Sequence, residues 1–184
     1  MNDDNVEPSR PLFDDYKPKT TNGYALDEVA STIQKSIRRG DEETALFFAL
    51  ELFPRYAGYA FRRLSVIAVE DIESPMAIVY VDAMAQSFFR NNDKKKAEEY
   101  KNRIFITKAV LALCRETKSR EADHAQAFID QKIKGGKLPR IPEYAFDVHT
   151  KKGRMSGQTK GDFFKDEQEG LDVKGRDDYY AKLK

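Results

Sequence analysis

Leu26, Val29, Ala30, Ile33 and Ile37 recur at the spacing of one helix face. Asp27, Glu28, Lys35 and Arg38 fall on the other face, acids first and bases last, as a helix dipole prefers. Gly40 stops this helix, and Asp41 is placed to cap the next. From Thr44 to Phe53 the chain is apolar nearly all round, which predicts a helix buried on several sides at the centre of a bundle. Leu46→Asp and Leu50→Asp are therefore expected to be poorly tolerated. Pro54 ends that helix, and Ala57, Ala60, Phe61, Leu64, Ala68 and Ile72 form the stripe of a third, with Arg62 and Arg63 pointing away. Ser74-Pro75 caps a fourth. Its sequence, MAIVYVDAMAQSFF, has the β-branched content of a strand, but the apolar run continues past Asp82 without a turn residue, so helix is the expectation.

After an Asn91-Asn92-Asp93 loop comes a long amphipathic segment from Lys94 to Glu116, solvated in KKKAEEYK and buried in IFITKAVLALC. Lys118 and Ser119 break it. Ala122, Ala125, Phe128, Ile129 and Ile133 make a last bundle helix that Gly135-Gly136 ends. The pattern thus predicts an all-α bundle of six to seven helices over residues 23–135. Residues 1–22 carry three prolines and five acids and read as a disordered acidic tail. Within it PLFDDY, Pro11 to Tyr16, suits either a partner's groove or a contact with its own domain. Residues 136–171 read as an extended, glycine-rich basic appendage, shaped by Pro139 and Pro142 and closed by a short helix near Asp162 to Gly170 with Phe163 and Phe164 inward. Residues 172–184 read as a frayed tail.

Composition narrows the classes. Apolar residues make up 40% and charged ones 34%, and the net charge is +1, so no global basicity argues for nucleic acid. The distribution is uneven, however. Between Lys137 and Lys165 seven bases face Glu143, Asp147 and Asp162, just ahead of an acidic tail. Cys114 is the single cysteine, which excludes an intrachain disulfide and fits a reducing interior. An acidic, polar N-terminus is no signal peptide, and no apolar run approaches roughly 18 residues. A cytoplasmic protein without membrane contact is the expectation.

The sequence offers no catalytic residue, metal site or cofactor motif. GRMSGQTKG from Gly153 has the wrong spacing for a phosphate loop. His124 and His149 lack further ligands at metal spacing, and Cys114 sits among apolar neighbours as a structural thiol. Glu70 and Asp71 would point about 100° apart on a helix, which suits caps or bridges to Arg62, Arg63 or Arg115 better than acid–base work. An enzyme is not expected. The candidate nucleic-acid contacts are Lys137, Arg140, Lys151, Lys152, Arg154 and Lys160, with Tyr144, Phe146 and His149 as stacking groups and no motif for reading sequence. The same bases would equally serve as a solvated loop balancing the acidic tail. Tyr56, Tyr59, Phe88 and Phe89 are candidate interface anchors, with core packing as the alternative role.

Three stretches carry a resemblance: KSIRRGDEETALFF with FRRLSVIAVEDI, then FITKAVLALCRETKS, then GGKLPRIPEYAFDVHT. From Ile33 to Thr150 the chain resembles the C-terminal helical region of the replication-associated recombination protein A family. Those proteins are AAA+ ATPases related to clamp loaders and to the eukaryotic Werner-helicase-interacting ATPase. The resemblance implies a clamp-loader-collar-like bundle that assembles into oligomers and partners a separate AAA+ ATPase or another replisome protein, with DNA as a further partner. Thr117 stands where the family's Pro-Lys-Ser has its proline, and KKGRMSGQTKGDFFKDEQ replaces a glycine-tyrosine-rich terminus. No Walker motif is present, so ATP hydrolysis is not implied.

Overall fold

In the computed structural model the described residues are 18–91, 100–136 and 138–171. They form eight α-helices, with two isolated antiparallel bridges and, among the described residues, no strand. The all-α expectation holds. The chain divides into two compact units, one through Asp130 and one from Gln131. PLFDDY, Asp93, most of KKKAEEYK, Lys137 and the tail from 172 lie outside the described residues.

The first unit contains α1 (Leu26–Arg39), α2 (Glu42–Glu51), α3 (Ala57–Glu70), α4 (Met76–Asn91) and α5 (Ile104–Arg115), the last entered through a 3-10 turn at Tyr100–Arg103. Gly40 adopts φ 70°, which closes α1 in the left-handed conformation that favours glycine. The Asp41 carboxylate then accepts from the Thr44 N–H to start α2. MAIVYVDAMAQSFF lies within α4, as its cap predicts.

The centre is α5 rather than α2. It touches α1, α2, α3 and α4 and buries Ile106, Ala109, Val110, Leu113 and Cys114. Within its helical span α2 buries only Ala45 and Ala49, with Leu52 and Phe53 buried just beyond its end. Small residues face α1 and α5 because the helices approach closely there, which leaves Leu46 and Leu50 half-buried and Phe47 outside. α6 (Glu121–Lys134) forms as the pattern predicts, yet it buries no residue: α1 to α5 already close the core, whose last buried member is Cys114. Residues 18–22, expected in the disordered tail, are held instead. Thr20 is buried, and the Asn22 N–H and side-chain amide donate to the Glu51 carboxylate at 2.9 and 2.7 Å.

The second unit has a short 3-10 turn (Glu143–Ala145), α7 (Lys151–Met155) and α8 (Lys160–Gly170). KKGRM is thus helix and not glycine-rich loop. The Thr150 hydroxyl accepts from the Gly153 N–H at 3.0 Å, and Gly153 packs so closely that a Cβ there would lie 1.9 Å from the Asp147 carbonyl oxygen. Only glycine fits. Thr159 and Asp162 cap α8 reciprocally. Of the two phenylalanines expected inside, Phe163 is half-buried edge-on to His149, while Phe164 is exposed.

Candidate functional site

The most polar buried position in the first unit is Asp71, whose side chain is 0% exposed. Its carboxylate accepts from Arg38 Nε at 2.9 Å, Gln34 Nε2 at 2.8 Å and Arg120 Nη1 at 3.0 Å. Arg120 also bridges to Asp123, and the Asp71 carbonyl accepts from the Ser119 N–H at 3.0 Å. Burial alone would push this carboxyl up. The hydrogen bonds from Arg38, Gln34 and Arg120 outweigh it and hold the group below its ordinary value. Glu70 accepts from Gln34, and Arg63 donates to that same amide. The bridges expected to Arg62, Arg63 or Arg115 are therefore made elsewhere: Asp71 is served by Arg38 and Arg120, and Arg115 pairs with Glu42 at 2.7 Å. Asp71 ties α1, the end of α3 and the approach to α6 together, with its acceptor sites occupied by protein donors.

Cys114 is buried, and desolvation pushes its thiol up to about 11, which leaves negligible thiolate at neutral pH. Among the described residues no three His, Cys, Asp or Glu gather as a metal site, and no helix is long and apolar enough to cross a membrane.

The proposed interface aromatics separate. Phe88 is a core residue, enclosed by Phe53 and Phe61 at ring distances of 5.3 Å, so it is not available as an anchor. Tyr56 and Tyr59 are half-buried against the core, and the Tyr56 hydroxyl donates to the Lys19 carbonyl. Phe89 is 53% exposed beside a shallow surface depression with Asp82, Gln86 and Arg90. Sequence reasoning missed a second exposed aromatic group. Phe47 is 51% exposed and forms edge-to-face contacts with Phe48 at 5.1 Å and Tyr24 at 6.4 Å. Its signal was the absence of a polar face on α2, which a helix covered by a partner shares with a helix buried in its own core.

The basic residues of the second unit are not a uniform patch. Lys152 lies over the Phe146 ring at 3.7 Å and within 3.7 Å of Glu143. Arg154 donates to the Val148 and His149 carbonyls. Arg140, Lys151 and Lys160 are exposed, and Lys137 lies outside the described residues. Of the stacking candidates, Tyr144 is exposed, whereas His149 is held by Asp147 at 3.0 Å and by Phe163. Over residues 138–171 six Lys or Arg face six Asp or Glu, so this region carries no net charge with His neutral.

No protein-family model matches the chain. Over 143 residues it is 35% identical to replication-associated recombination protein A of Bacillus subtilis (strain 168). That similarity covers 74% of this chain and 32% of the relative, so the chain spans about a third of that protein's length.

Proposed function

We propose that this chain is a collar-type helical domain of the replication-associated recombination protein A family, serving DNA replication and recombination without catalysis of its own. It acts in the cytoplasm by self-association and by contact with a separate clamp-loader-like AAA+ ATPase or another replisome protein. The similarity to the Bacillus subtilis protein supports the field of action. One observation carries the mode of action: α2 turns its alanines to the core and Phe47 to solvent. A large aromatic beside Tyr24 and Phe48 gains nothing from water and has the character of a binding anchor.

Light scattering across the micromolar range tests this. The parent should show a concentration-dependent rise in mass and in melting temperature, and Phe47→Glu should shift it towards monomer while keeping the parent's helical circular-dichroism spectrum. A parent that stays strictly monomeric, and that also fails to bind an ATPase of the family, refutes the proposal. The rival reading is a sequence-independent DNA-binding module. It draws on the grouping of Lys151, Lys152 and Arg154 on α7, and is opposed by the balance of acids and bases around them.

A further inference from the structure

α6 is a helix of 14 residues, none of them buried. Its start is nevertheless fixed: the Ser119 hydroxyl accepts from the Glu121 N–H at 3.2 Å, and Arg120 donates to the buried Asp71 carboxylate at 3.0 Å. Ala122, Ala125, Ile129 and Ile133 run along one face, all of them exposed, with Ile129 at 50% and Ile133 at 57%. A helix of this length is marginal in water by itself, and isoleucine supports a helix less well than leucine or lysine would. Local helix stability therefore does not account for that face, whereas cover by another helix does.

The order of residues along the face indicates what covers it. Its small residues lie in the first half and its large ones in the second. Turned end to end against itself about the point between Ala127 and Phe128, α6 sets Ala122 opposite Ile133 and Ala125 opposite Ile129, small against large along the seam. A parallel pair would set alanine on alanine and isoleucine on isoleucine. One edge of the same face carries Glu121 and Lys132, about three turns apart, and the antiparallel register brings Glu121 of one copy to Lys132 of the other, twice per pair. Acids at the start and lysines at the end also suit the helix dipole, so their order alone decides nothing. Their shared edge beside the apolar face is what the pairing uses.

We propose that α6 pairs antiparallel with α6 of a second copy of this chain. This rests on the self-association proposed above and adds to it a second surface, on different residues from Phe47. A 14-residue helix is about 21 Å long, so the contact is small and should associate with a constant on the order of 100 µM.

The test uses the full chain carrying Phe47→Glu, so that the α2 surface offers no apolar contact, and sedimentation equilibrium up to about 500 µM at low salt. Glu121→Lys and Lys132→Glu, made separately in that background, each set like charges opposite one another twice per pair. Each should weaken self-association by about fivefold or more. An equimolar mixture of the two should recover the mass of the Phe47→Glu chain, because every lysine at the edge then meets a glutamate of the other chain. Any effect of a substitution on its own helix persists in the mixture, so recovery reads the pairing alone. Ile129→Glu should abolish association and keep the helical circular-dichroism spectrum. A Phe47→Glu chain that stays strictly monomeric at the highest concentration, or a mixture no heavier than its components, overturns the proposal. So does an Ile129→Glu chain that melts lower at unchanged mass, because the face is then covered within its own chain. The two surfaces fail separately: mass lost on Phe47→Glu without recovery in the mixture leaves α2 standing, and recovery without an effect of Phe47→Glu leaves α6.

Discussion

Asp71 carries the sharpest consequence of a single residue. A fully buried carboxylate is tolerable only because Arg38, Gln34 and Arg120 fill its acceptor sites, and the two arginines remain about one-third exposed at their outer ends. Asp71→Asn keeps the shape and removes the charge. It should cost about 2–3 kcal/mol in urea denaturation, towards the low side for a broken buried pair because the arginines can recover water. The folded carboxyl lies below its ordinary value of 3.8, so its contribution is present above that pH and is lost as the pH falls through the folded value. Acid titration should therefore show the parent losing more stability below about pH 4 than Asp71→Asn does. Equal acid slopes for the two proteins would refute the assignment. The carboxylate pair Glu70-Asp71 was visible in the sequence, but its partners were not. Gln34, Arg38 and Arg120 are distant in the chain, and nothing in helix periodicity says which arginine turns inward.

At the scale of elements, periodicity located the helices well and their neighbours poorly. The cap at Asp41, the stop at Gly40 and the Ser74-Pro75 start each follow from local chemistry and appear where expected. Which helix is central depends on interhelix distance, which local chemistry does not encode. α2 approaches α1 and α5 through Ala45 and Ala49, so its larger side chains are displaced outward, and α5 takes the centre. Leu46 and Leu50 are thus less sensitive positions than the apolar sequence of α2 predicts. Leu46→Asp and Leu50→Asp, on half-buried positions, should cost about 1–2 kcal/mol because each carboxylate can reach water. Leu64→Asp, at 1% exposure in α3, should cost more than about 4 kcal/mol or prevent folding. Denaturation curves in which the Leu46 variant is the more damaged would restore α2 to the centre. α6 makes the same point: its apolar stripe is real, but Ile129 and Ile133 remain at least half exposed.

For the molecule as a whole the deciding quantity is how much charge remains free to meet phosphate. The run of bases from Lys137 to Lys165 looked like a nucleic-acid segment because sequence shows charge without showing its partners. Lys152 is held by Phe146 and Glu143, Arg154 caps carbonyls, and the acids of α8 balance the remaining charge. All five described bases of the original set are exposed, and Arg140, Lys151 and Lys160 are those that make neither the ring and ion-pair contacts of Lys152 nor the carbonyl contacts of Arg154. If all three reached phosphates, these described bases would contribute a slope of log affinity against log salt of about 2 to 3. DNA binding should then be weak at low salt, similar for single and double strands, and absent near physiological salt. Lys151→Ala with Lys160→Ala should reduce the slope by about 1.5, while Lys152→Ala should leave it unchanged. Anisotropy titrations with labelled oligonucleotides over a salt series measure this directly. A slope beyond about 4, or binding that persists at about 0.15 M salt, would mean that bases now counted as locally engaged turn outward on contact with DNA, and the DNA-binding reading would then displace the adaptor one.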